Sequence, residues 1–166
     1  PMLLTVSRLA ASEQYKGIDT ILRALPKTRE IFPAVQYVII GDGDDRPQLE
    51  QLTKELELGS YVHFKGNMRD VDLSSYYNAC DVFLMPSQQE GFGIVFLEAM
   101  IFGKPIIGGN HGGTPDIILD GETGFLVEHG NIEMLENRLK TLLSDRKLCR
   151  QMGQAGRERV EKKFLF

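Results

Sequence analysis

With 166 residues, 42% of them hydrophobic and 25% charged, the chain has the balance of an ordinary globular domain and the length for a sizeable core. A formal net charge of −4 provides no basic surface for nucleic acid or an anionic membrane. No apolar run approaches the ~18 residues of a membrane span.

In chain order, short apolar runs of strand length alternate with longer segments of helical period. Leu3–Val6 reads as a strand and Ile18–Ile31 as a helix, with Arg8, the spacer Ala10–Tyr15 and Lys16-Gly17 between them. The strand Tyr37–Ile40 runs into Gly41-Asp42-Gly43 and a helix at Arg46–Glu57. Val62–Lys65 is the next strand, ending in Gly66-Asn67, and Asp72–Ala79 the next helix. A fourth strand, Val82–Met85, leads through Pro86–Gly93 into an apolar helix at Ile94–Phe102. Pro105–Ile107 and Phe125–Val127 are the last strands, separated by the glycine-rich Gly108–Thr114 and a short helix at Pro115–Leu119. Two helices close the chain, Ile132–Ser144 and Arg146–Lys163; Leu135, Leu139, Leu142 and Leu143 give the first a clear apolar face.

Strands apolar on both faces, each followed by a helix, argue a parallel sheet covered on both sides. The expected fold is α/β, a three-layer, doubly wound, Rossmann-like sheet of about six strands in one domain, residues 1–166. Pro1-Met2 runs at once into a strand, and Phe164-Leu165-Phe166 ends on three apolar side chains. The chain therefore reads as a fragment of a larger protein. Cys80 and Cys149 stand far apart and in no metal-ligand spacing, which predicts reduced, mostly packed thiols in a cytoplasmic protein.

Ligands of such sheets sit beyond the carboxyl ends of the strands, where helix N-termini point. Glu90-Gly91-Phe92-Gly93 stands there, just before a helix. Its glycines let backbone N–H groups approach a ligand, and the helix start favours an anion. The same glycines also serve a loop that merely turns, and the spacing matches neither a dinucleotide fingerprint nor a P-loop. Glu98 is more telling: it sits within Ile94–Phe102 with no polar neighbour, on a helix expected to be buried on most faces. A buried carboxylate costs several kcal/mol without donors or a cation, so either a structural partner or the hydroxyls of a ligand must satisfy it. Arg8 and Lys16 are cations able to reach the same rim, although any one of 19 lysines and arginines is more often a solvated surface group. His111 suits a turn and His63 a strand, and neither has a partner for a nucleophilic relay. No clustered His, Cys or carboxylate spacing suggests a protein-bound metal.

Taken in order, these pieces resemble the C-terminal, nucleotide-sugar-binding half of a GT-B-fold retaining glycosyltransferase of the family 4, group 1 type, over essentially the whole chain. Val6-Ser7-Arg8-Leu9 with Lys16-Gly17, Ile39–Gly43, and Val62–Gly66 are similar to its first three landmarks. Pro86-Ser87, with Glu90 and Glu98 separated by seven residues, resembles its two-glutamate signature. Gly112–Asp116 and Asp120–Val127 complete the series.

The resemblance implies that Glu98 binds ribose hydroxyls, and that Glu90 lies by the donor sugar near its reacting carbon. It implies that the amides of Gly91, Phe92 and Gly93 hold sugar hydroxyls. Arg8 and Lys16, with the helix start at Ile94 and Val95, would neutralise the diphosphate; Gly43 and the backbone of Val62 and His63 would border the nucleotide. The spacer before Lys16 is longer than the commonest form, and Asp116 stands where Glu is usual. No cofactor is implied beyond the donor substrate, a UDP-, GDP- or ADP-sugar. The implied partner is a missing N-terminal acceptor domain, through which alone a membrane would be met; the fragment itself would bind donor but transfer little. A GT-B-fold nucleotide-sugar epimerase and a non-catalytic nucleotide-binding module share these residues and are the rival readings.

Overall fold

The computed structural model describes residues 1–90 and 93–164. Its six-stranded sheet comprises β1 (Met2–Val6), β2 (Gln36–Ile40), β3 (Val62–Phe64), β4 (Val82–Met85), β5 (Ile106–Gly109) and β6 (Gly124–Val127), in the spatial order β3-β2-β1-β4-β5-β6. Every pairing is parallel. Between and after the strands lie α1 (Ile18–Ile31), α2 (Arg46–Glu55), α3 (Asp70–Ala79), α4 (Ile94–Ile101), α5 (Thr114–Ile117), α6 (Ile132–Leu143) and α7 (Arg146–Lys163).

The period-2 alternation of strand side chains divides the core into two layers. Leu3, Tyr37, Ile39, Val82, Leu84 and Ile107 face one cluster with Ile21, Leu22 and Leu25 of α1 and Leu135, Leu139 and Leu142 of α6. Leu4, Val38, Ile40, Phe83, Met85 and Ile106 face the other with Tyr77 of α3, Phe96, Ala99 and Met100 of α4, and Val160 of α7. Strands apolar on both faces can be satisfied only this way, and the expected three-layer, doubly wound architecture is what forms.

Strand order reverses between β1 and β4, so α1 and α4 leave that junction on opposite faces and the loops following β1 and β4 part there. This is the crevice where such sheets take ligands. Beneath it lies a buried polar contact. Thr5 Oγ1 donates to the Leu84 carbonyl at 2.6 Å and lies 2.7 Å from the Tyr37 hydroxyl. The carbonyl can only accept, so Tyr37 supplies the proton of the second bond.

One element departs from the sequence reading. The spacer before Lys16 is a 3₁₀ helix, Ala11–Lys16, ended by Gly17 at φ 83°. The Asp44 carboxylate accepts the Ala11 N–H at 2.7 Å, a long-range cap that no local periodicity announces. Both thiols are free: Cys80 is buried and Cys149 half-buried. Burial pushes the Cys80 thiol up to about 12. Among the described residues no helix is long and apolar enough to cross a membrane.

Candidate functional site

The loops after β1 and β4 are locked together at the switch point by close backbone approach. Gly17 sits so near the Pro86 carbonyl that a Cβ would lie 2.5 Å from it, and Gln88 N–H donates to the Tyr15 carbonyl at 2.7 Å. A side chain at position 17 would force the loops apart as well as strain the left-handed backbone.

That junction carries the charged groups. Lys16 Nζ meets Glu90 Oε2 at 2.8 Å, and their side chains are only 15% and 12% exposed. Arg8 Nη2 meets Glu13 Oε1 at 2.7 Å, with the guanidinium 80% exposed and the carboxylate 12%. Each candidate cation is thus held by a carboxylate in the free site. A phosphate could displace either, since the donors that serve a carboxylate serve a phosphate oxygen equally. A cleft of about 460 Å³ between the 3₁₀ helix, α1 and α2 is lined by Arg8, Glu13, Lys16 and Asp45, but by neither Glu90 nor Glu98.

Glu98 has a partner that the sequence did not suggest. The Tyr77 hydroxyl of α3 donates to its Oε2 at 2.7 Å. Burial, together with the Glu98 charge, holds the Tyr77 phenol far above its ordinary range, so it remains a donor. Tyr77 is wedged among aromatics, stacked on Phe102 at 5.7 Å and tilted against Phe83 at 5.8 Å. The expectation that α4 is buried on most faces holds except along one flank: Phe96, Ala99 and Met100 are buried and Val95 and Leu97 half-buried, whereas Ile94 is 58% and Ile101 41% exposed. The helix crosses the rim and shows one flank to solvent. Glu98 is half-buried, and no described residue donates to its Oε1.

At the start of α4, Gly93 is buried with φ 69°, a conformation that admits little but glycine. Its carbonyl accepts from Phe96 and Leu97, and the amides of Ile94 and Val95, in the first turn, have no intrahelical partner. Gly91 and Phe92 lie outside the described residues.

On the β2 side, Gly43 is pressed against the backbone of Leu9 and bonds the Asp42 carboxylate at 2.9 Å. Val62 and His63 are not brought to the rim. Val62 is buried opposite Tyr37, and His63 Nε2 meets Gln36 Oε1 at 2.6 Å, at the opening residue of β2. Lys65 and Gly66 occupy the rim end of that strand instead, Gly66 bridging Gly41. Arg46 closes this edge by bonding Asp42, Glu50 and the Phe64 carbonyl. The sequence reading missed Arg46, Glu13 and Tyr77. A polar-tipped aromatic on the inward face of Asp70–Ala79 was the one available signal for Tyr77.

The family model described as glycosyl transferases group 1 matches residues 1–159. A sulfoquinovosyl transferase of Arabidopsis thaliana is 36% identical over 98% of this chain and 30% of its own length. A GDP-mannose-dependent phosphatidylinositol monomannoside mannosyltransferase of Mycolicibacterium smegmatis is 33% identical over 95% of this chain and 42% of its own. Among solved structures, a sucrose-phosphate synthase of Thermosynechococcus elongatus superposes with a TM-score of 0.90 at 34% identity, covering 99% of this chain and 41% of that one. The Anabaena protein Alr3699/HepE in complex with UDP-glucose superposes with a TM-score of 0.89 at 27% identity, over 98% of this chain and 44% of that one. The chain spans between 30% and 44% of the length of the curated relatives it matches. On the family match and on the order and geometry of its rim, this chain belongs to the group 1 glycosyl transferases.

Proposed function

We propose that the chain binds a nucleoside-diphosphate sugar and forms the donor half of a retaining, metal-independent glycosyltransferase that moves a hexosyl group to an acceptor held by a separate N-terminal domain. The observation that carries the reading is the Lys16–Glu90 pair, largely buried at the β1/β4 junction where a doubly wound sheet takes its ligand.

The chemistry follows from the chain's own groups. As the glycosidic bond to the diphosphate breaks, negative charge gathers on the leaving oxygen. Lys16 and Arg8, once they exchange their carboxylate partners for the phosphates, and the N-terminal turn of α4 stabilise it. Release of Lys16 to the phosphate frees Glu90 to face the sugar. Glu98, oriented by Tyr77, offers Oε1 to ribose hydroxyls. Base contacts fall to the Gly43, Lys65 and Gly66 end of the rim. A cytoplasmic setting suits a UDP-, GDP- or ADP-sugar donor, and the relatives that use or bind such donors support the reading.

Calorimetric titration of UDP, GDP and ADP into the chain and into Glu98→Ala tests it. Binding of at least one nucleotide, weakened in the variant at unchanged thermal stability, is expected. Unchanged affinity with collapsed stability would make Glu98 structural and end the ligand reading. The chain alone should turn over little or no donor, because the acceptor side is absent; steady transfer would refute the two-domain division of labour.

A further inference from the structure

Over Glu90, the loops after β4, β5 and β6 converge, and two histidines tie them together. The His129 peptide N–H, just past β6, donates to His111 Nε2 at 3.1 Å in the loop after β5. His129 Nδ1 faces the Pro86 carbonyl at 3.3 Å in the loop after β4. The partners set the direction of each bond. A peptide N–H can only donate, so His111 Nε2 is the acceptor. A carbonyl can only accept, so His129 Nδ1 must carry a proton.

From His111 the chain passes straight into the turn that lies on Glu90. Gly113 N–H donates to the Glu90 carbonyl at 3.0 Å. Gly112, at φ 62°, comes so close that a Cβ would sit 3.0 Å from the same oxygen. Asn110 N–H, on the other flank, bonds the Val127 carbonyl at 2.8 Å. Lys16 therefore holds the Glu90 side chain, and the turn after His111 holds its backbone.

We propose that His111 and His129 are positioning residues: they clamp the His111–Thr114 turn onto Glu90 and thereby set how tightly the site holds the sugar end of a nucleoside-diphosphate sugar. This rests on the donor-binding reading above. Neither imidazole needs to touch the ligand. Together they join three loops through one acceptor, His111 Nε2, and one donor, His129 Nδ1.

The test compares UDP with UDP-glucose, and GDP with GDP-mannose, by calorimetry on the wild-type chain, His111→Phe and His111→Gln. Amide hydrogen exchange at Gly113 is measured in the free protein. Phenylalanine keeps the ring volume but removes the acceptor, whereas the glutamine carbonyl oxygen reaches the place of Nε2. In His111→Phe the nucleotide-sugar should weaken by about fivefold, the scale of one net hydrogen bond. The bare nucleotide should not change, and Gly113 should exchange faster. His111→Gln should restore both. An unchanged sugar-to-nucleotide ratio, or equal loss for both ligands, overturns the latch. A wild-type chain that binds none of the four probes overturns the donor-binding reading, and this inference with it.

Discussion

The two glutamates of the rim are held by opposite means. Glu90 stands in a loop, its carboxylate paired with Lys16 and its carbonyl bonded to Gly113. Glu98 stands on α4, with a neutral phenol as its partner, inside an aromatic cluster shared by α3, α4 and β4. An ion pair can be exchanged for another ion pair, so on the proposed function the Glu90 region would change partners when an anion arrives. A carboxylate fixed by a buried tyrosine keeps its orientation whether or not a ligand is present. One region supplies charge that can be redirected, and the other supplies a preformed grip.

The largest test of that contrast is Lys16→Met. It removes the charge offered to the diphosphate and strands a largely buried Glu90, so UDP or GDP affinity should fall by about a hundredfold. Stability should drop by about 3 kcal/mol, the scale of breaking a buried pair from one side. Adding Glu90→Gln should recover the stability measured by thermal melting but not the affinity. Recovery of both would show that Lys16 serves the fold alone.

Next comes Glu98→Ala, which should weaken nucleoside and nucleoside diphosphate alike by about tenfold, whereas Arg8→Ala should weaken only the diphosphate. A Glu98 variant selective for the diphosphate breaks the division between the two regions. Tyr77→Phe sharpens it further. Freed of its donor, Glu98 should lose about threefold in nucleoside affinity, part of one hydrogen bond, while sugar-end discrimination stays unchanged.

The smallest effect is an alkaline one. Burial raises the Tyr77 phenol far above its ordinary value of 10.0, with Glu98 adding to the shift, and burial raises Tyr37 likewise. The folded state then holds these protons more tightly than the unfolded chain. The stability they contribute is whole below about pH 10 and declines as pH rises beyond it. In a phenolate absorbance titration, Tyr37 and Tyr77 should ionise only with alkaline unfolding, and Tyr77→Phe should leave one such group. Ionisation of all 5 tyrosines together near pH 10 would remove the claim that Tyr77 is a locked donor.

Hydrophobic periodicity and glycine placement made the layered sheet, the element order and the position of the rim readable, because a strand buried on both faces has few other homes. Helices α1 and α7 and strand β4 run over the residues their periodicity marks. The 3₁₀ helix was not readable, because its cap comes from Asp44, across the gap between two loops. The exposure of α4 was not readable either: an apolar helix at a rim and one in a core share a composition, and only the neighbouring layers distinguish them. Val62 and His63 looked like rim residues by their place in a motif, yet the register of β3 against β2 sets them below it. Sequence alone therefore determined which residue types gather beyond the carboxyl ends of the strands, since chain order and strand period are local properties. Only the tertiary structure decided the partners, Lys16 with Glu90, Tyr77 with Glu98 and His111 with His129, because each joins residues brought together by strand order and helix packing rather than by distance along the chain.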